Sequence, residues 1–301
     1  MKAVKIVAAV LVLAILPVLT ACGSGQNENT ASGNEEFRIV TSFYPMYLLT
    51  RGVTGDTPGV SVTDMAPRAT GCLHDYQLTP ADMRTLGGAD VLVINGAGME
   101  SFMEKVAEGM PEMKVITASQ GIELLKDEYG EENPHVWVSV SGAIAEVENI
   151  RDGLCEADPK NSGAYRQNAD IFITKLDELQ KEMHEKLDGV TKKDIITFHE
   201  AFPYFAEEFG LNVAAVIESE PGAVPSAEEL ARVISLVKDK GITALFVELQ
   251  YPKGTAEVIA RETGAELYTL DPAVTGPEGA TADEYIRIME ENLATLEEAL
   301  K

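Results

Sequence analysis

Residues 159–189 read PKNSGAYRQNADIFITKLDELQKEMHEKLDG, and this stretch decides the architecture. Between its first proline and its last glycine only Gly163, near the start, interrupts a run free of helix breakers. Ile171, Ile173, Leu176, Leu179, Met183 and Leu187 recur along it at helical spacing. At ~1.5 Å per residue such a helix runs about 40 Å, long enough to act as a spine between two lobes.

On each side of the spine, short apolar runs read as strands. Four precede it, at residues 37–42, 60–65, 90–95 and 114–117, and four follow, at 194–198, 212–217, 244–248 and 266–270. Helical patterns lie between them. Thr79-Pro80-Ala81-Asp82 has a threonine cap, proline at the first helical position and an acid at the third, and the segment closes at Gly87-Gly88. Ser226-Ala227-Glu228-Glu229 is a capping box opening an amphipathic helix to about residue 238, and residues 283–300 form another. Strand–helix alternation predicts an α/β fold of two lobes, each with a mostly parallel four-stranded sheet, joined by the one long backbone helix.

The expected organisation is a lipoprotein signal peptide over residues 1–21, a lipidated flexible tether over 22–35, an N-terminal α/β lobe over 36–158, a linking helix over 159–189 and a C-terminal α/β lobe over 190–301. Lys2 and Lys5 give a positive start, and residues 7–19 are an apolar stretch short for a membrane span. The stretch ends in Leu19-Thr20-Ala21-Cys22, which resembles the bacterial lipobox, so Cys22 is the expected lipidation site. Residues 23–35, GSGQNENTASGNE, are polar and carry no apolar period. The expected location is the extracytoplasmic face of a cell membrane, reached through the lipid anchor.

The formal net charge of −25 argues against nucleic acid and against binding to anionic lipid. After Cys22 only Cys72 and Cys155 remain, too few for a disulfide framework. A bridge between them is not expected, because Cys155 falls near the far end of a helix that follows His135, away from the strand-end region of Cys72.

Chemistry concentrates at strand ends. His74, His135 and His199 each sit just beyond an apolar run, and Asp271 follows another. In parallel sheets these side chains emerge at the carboxyl ends, where α/β folds bind ligands. Three imidazoles and a carboxylate from both halves of the chain would form a metal site. His184, mid-helix between Met183 and Glu185, reads as structural. Glu248 ends its own strand and is a reserve fourth ligand, while Asp75 and Glu200 could orient imidazoles from behind. Trp137 and Tyr204 could wall the site, although aromatics beside strand ends are more often core.

The chain resembles the cluster A-I substrate-binding lipoproteins of bacterial ABC transporters for zinc and manganese. The matching segments are Thr41-Ser42-Phe43-Tyr44-Pro45-Met46, His74-Asp75-Tyr76 with Thr79-Pro80-Ala81-Asp82, Asn133-Pro134-His135-Val136-Trp137, Phe198-His199-Glu200-Ala201-Phe202-Pro203-Tyr204-Phe205 and Leu270-Asp271-Pro272. The resemblance implies a non-enzymatic, monomeric receptor that captures Zn2+ (or Mn2+) as transported ligand through His74, His135, His199 and Asp271 and delivers it to a membrane permease. Manganese-binding members often carry glutamate at the position of His199, so the histidine tilts the expectation to zinc. Cys72-Leu73 replaces the acidic residue and the proline or alanine usual before the first histidine. Cys72 is expected to be a small buried residue, with a thiolate ligand favouring zinc as the other reading. Residues 126–133 are short, acidic and free of histidine, unlike the His-rich loop of many zinc-specific members.

Two other functions compete. A surface adhesin of the same fold is one, with no host ligand specified by the sequence. An extracytoplasmic zinc hydrolase is the other, against which stand the absence of an HExxH motif and a fourth ligand that would close the coordination sphere.

Overall fold

All eight apolar runs are strands in the computed structural model, which describes residues 36–301 apart from 68–69, 75, 127–129, 218–224 and 250–252. The signal segment, the tether with Cys22, and Asp75 lie outside the described residues. In the first half β1 (Phe37–Thr41), β2 (Val60–Asp64), β3 (Val91–Ile94) and β4 (Val115–Thr117) form one sheet in the order β2-β1-β3-β4. In the second half β5 (Asp194–Thr197), β6 (Asn212–Val216), β7 (Ala244–Val247) and β8 (Glu266–Thr269) repeat the scheme as β6-β5-β7-β8. Every pairing is parallel. The interior strands β3 and β7 are buried at every residue, as strands covered on both faces must be.

Helices α1 (Tyr44–Thr54), α2 (Pro80–Leu86), α3 (Met103–Gly109) and α4 (Val140–Ala157) belong to the first half. The spine α5 (Ser162–Leu187) follows, then α6 (Pro203–Glu208), α7 (Ala227–Lys240), α8 (Gly254–Thr263) and α9 (Asp283–Ala299). Both capping boxes form. Thr79 Oγ1 accepts the Asp82 N–H while an Asp82 carboxylate oxygen accepts the Thr79 N–H at 2.7 Å. Ser226 and Glu229 make the same exchange at the start of α7, which ends where Gly241 turns left-handed at φ 65°.

The spine buries Tyr165, Ala169, Phe172, Leu176, Leu179, Met183 and Leu187 along one stripe. The stripe passes through Phe172 instead of Ile171, which is 53% exposed. It packs on α1, α4 and α9. The approach to α1 is close enough that a Cβ on Gly52 would lie 2.2 Å from the Phe172 ring. One hydrophobic core therefore runs from Leu48 and Leu154 in the first half through Leu176 to Phe205, Tyr285 and Leu293 in the second. A smaller core of Ile196, Val237, Leu245 and Ile259 lies under α7 and α8. A shared core on a helical spine opposes wide hinge motion of the halves. Residues 35–301 form one compact unit, and among the described residues no helix is long and apolar enough to cross a membrane.

Candidate metal centre

Strand order places the site. In each sheet the connections reverse direction at the second position, between β1 and β3 and between β5 and β7, which is where open α/β sheets form a crevice at their carboxyl ends. His199 stands two residues beyond β5 and Glu248 directly beyond β7, so the two flank the second crevice. His74 arrives on the loop from β2 to α2, and His135 on the long connection from β4 to α4.

The three histidines meet. Ring centroids are 5.2 Å apart for His74 and His135, 4.7 Å for His135 and His199, and 5.8 Å for His74 and His199. The Nε2 atoms of His74 and His135 are 3.3 Å apart. A fourth donor is present that the sequence reading set aside. Cys72 Sγ lies 3.6 Å from His135 Nε2, and one ligand atom from each of Cys72, His74, His135 and His199 falls within 4.8 Å of all the others. The structure thus brings the Cys72 sulfur beside the three rings, where the thiolate reading would need it. In the loop before α2, Leu73 stands between Cys72 and His74; the leucine is wholly buried, its N–H on Met99 Sδ, while the two donors on either side of it belong to the cluster.

Asp271 stands outside that set. One of its carboxylate oxygens accepts the Ala273 N–H at 2.8 Å. Asn292 of α9 pins its backbone, accepting the Asp271 N–H and donating to the Asp271 carbonyl, both at 2.8 Å. Burial pushes its carboxyl up to about 6, helped by the nearby Glu248 and opposed by the Ala273 N–H. Glu248 is also outside the ligand set; it is buried, with an oxygen 3.4 Å from His199 Nδ1. A carboxylate in that position orients the imidazole and turns its other nitrogen to the cluster.

Asn133 does the same for His135 and was not singled out from sequence. Its Oδ1 accepts from His135 Nδ1 and from the His135 N–H, each at 2.9 Å. The remaining ring nitrogen, Nε2, then faces the cluster with a free lone pair. Burial holds His135 well below the ordinary imidazole range, with His199 and His74 adding to the effect, so the ring is neutral and ready to ligate. The Asn-Pro-His sequence was the available signal, because an asparagine two residues before a ligand can bond back to it.

Cross-strand-end ties join the two halves here. Asn133 Nδ2 donates to the Glu200 carbonyl and Tyr204 Oη donates to the Asn133 carbonyl at 2.7 Å. Trp137 is fully buried, with Nε1 donating to the Pro272 carbonyl at 2.7 Å, and so belongs to the core between His135 and Asp271. Glu208 accepts the Val140 and Ser141 N–H groups at the start of α4, a favourable place for a carboxylate. Above the histidines opens a cleft of about 710 Å³ lined by Lys126, Glu131, Glu132, Asn133 and Glu200 beside the three rings. Its acidic rim favours a cation. His184 faces Asp188 at 3.0 Å and packs on Phe209, far from this chemistry. Cys72 and Cys155 are both free thiols.

Three imidazoles, two of them buried, converging at the carboxyl ends of two parallel sheets match a known family. Residues 39–299 fit the model of the periplasmic zinc-uptake complex component A, ZnuA. The chain belongs to this family. It is 30% identical over 316 residues to the high-affinity zinc uptake system protein ZnuA of Bacillus subtilis, covering 96% of each chain. It is 28% identical to the manganese-binding lipoprotein MntA of Halalkalibacterium halodurans, covering 97% of each. Among solved structures it superposes with a TM-score of 0.79 on the laminin-binding protein of Streptococcus agalactiae, a bifunctional protein with adhesin and metal-transporting activity. That match is 29% identical and covers 88% of this chain and all of the other. ZnuA-family proteins are substrate-binding components of importer complexes, with lipoproteins among them, and they are not enzymes.

Proposed function

We propose that this chain captures zinc, with manganese as a second cargo, outside the cytoplasm and delivers it to the permease of an ABC importer. His74, His135 and His199 are the ligands, and the Asp271 carboxylate becomes available to the ion once it turns from the Ala273 N–H. Cys22 tethers the protein, as a monomer, to the outer face of the cell membrane. The observation that carries the reading is the convergence of three imidazoles at the floor of an acid-rimmed cleft. Borderline Zn2+ suits such nitrogen donors better than the harder Mn2+ does.

The ties from Asn133 and Tyr204 make the His135 and His199 segments one unit. Release of the ion therefore proceeds through a local rearrangement of these segments, while the shared core around α5 stays intact. Isothermal calorimetry at controlled free-metal concentrations tests the assignment. Alanine at His74, His135 or His199 abolishes tight zinc binding in a folded protein; undiminished affinity in all three variants overturns it. Adhesion is a second reading, favoured by the likeness to the laminin-binding protein, and a pull-down with laminin in the presence and absence of zinc tests it.

A further inference from the structure

Resting on the proposed metal capture, we infer that Cys72 is itself a ligand, so that zinc is held by one thiolate and three imidazoles and the site discriminates against manganese through sulfur. The geometry is that of a tetrahedral ion. Zn–S of about 2.3 Å and Zn–N of about 2.05 Å place sulfur and nitrogen about 3.6 Å apart and two nitrogens about 3.3–3.4 Å apart. The corresponding separations are 3.6 Å for Cys72 Sγ to His135 Nε2 and 3.3 Å for His135 Nε2 to His74 Nε2. Two independent edges of the coordination polyhedron are thus already at their metal-bound lengths.

The local backbone is built for this. Gly71, at φ 80°, turns the chain into the segment, and Leu73 is anchored in the core between the two donors. Cys72 packs on the edge of that core and still brings its sulfur to the rings. Asp271, by contrast, contributes no atom to that set and gives one carboxylate oxygen to the Ala273 N–H. Glu248 stands behind His199, an oxygen 3.4 Å from its Nδ1, outside the ligand set.

On binding, the zinc–sulfur bond forms with the sulfur lone pair and the S–H bond breaks, its proton passing to solvent; no oxidation state changes. Thiolate is a soft donor that strengthens the site for zinc and cobalt far more than for manganese, which prefers carboxylate and water oxygens. Cys72 would then set cargo choice, with Asp271 the ligand recruited by an oxygen-preferring ion.

Cobalt(II) substitution of the purified, chelator-stripped protein tests this, run on wild type, Cys72→Ser and His135→Ala. The expected spectrum of wild type has visible bands of a four-coordinate ion at one equivalent, plus a near-ultraviolet sulfur-to-cobalt charge-transfer band. Cys72→Ser keeps the visible bands and loses the charge-transfer band, and its zinc affinity falls at least about tenfold while manganese affinity changes less than about threefold. Wild type that binds one cobalt without the charge-transfer band overturns the role of Cys72 and leaves the histidine site standing. Wild type that binds no cobalt and no zinc, or His135→Ala that binds as wild type does, overturns the metal-capture reading and this inference with it.

Discussion

Asp271→Asn separates what the site costs the fold from what it gives to metal binding. In the metal-free protein, burial and Glu248 raise the Asp271 carboxyl from the usual 3.8 to about 6. At about 1.4 kcal/mol per tenfold change in proton affinity, an ionised Asp271 costs the folded apo-protein about 3 kcal/mol at neutral pH. The sign follows from linkage. Between the two values the folded state keeps a proton that the unfolded state has lost, so the penalty is full above about pH 6, about half at pH 5, and gone below about 3.8. Asparagine keeps an oxygen for the Ala273 N–H and removes the charge. Stripped of metal, Asp271→Asn should melt about 5 °C above wild type at pH 7.5, with the gap narrowing by about half at pH 5. Zinc should stabilise the variant less than wild type, because a neutral amide near the site balances less of the dication's charge. Differential scanning calorimetry with and without zinc at the two pH values reads both effects. An apo variant that melts at or below the wild-type temperature at pH 7.5, or a gap that does not shrink on acidification, refutes the account of Asp271 as a strained carboxylate awaiting a cation.

The remaining predictions concern support and motion. Asn133→Ala frees His135 Nδ1 from its acceptor and should weaken zinc binding about 10- to 100-fold, with about 1–3 kcal/mol of stability lost as the His135 N–H and the Glu200 carbonyl lose their partner; equal affinity by competition with a chromophoric chelator would show that the bond does not orient the ring. Gly52→Ala drives a methyl group into the Phe172 ring and should destabilise the protein by about 1–3 kcal/mol in urea titrations, leaving the metal-loaded coordination spectrum unchanged. Small-angle scattering should give the same radius of gyration with and without zinc, since one core spans both halves around α5. A contraction characteristic of hinge closure would contradict the spine argument. Hydrogen exchange should instead show zinc-dependent protection confined to the segments around His135 and His199.

Periodicity and strand-end position carried most of the architecture, because parallel sheets oblige the chain to alternate buried strands with amphipathic crossovers and to present its ligands at one edge. The eight runs, the two capping boxes, the spine and the three histidines were all legible as local patterns of residue type. What one-dimensional pattern could not rank was the set of donors around those histidines. Asp271 and Glu248 occupy strand ends as the histidines do, yet Asp271 turns one carboxylate oxygen to the Ala273 N–H, and Glu248 lies behind His199. Cys72 has no periodic signature at all, since it sits in an irregular loop where direction depends on how Leu73 is anchored and how Gly71 turns. Sequence alone determined the fold, the histidines and the class of cargo, for these follow from hydrophobic spacing and donor chemistry. Only tertiary structure brought the Cys72 sulfur beside them, because a separation of 3.6 Å is set by packing between segments that are distant in the chain.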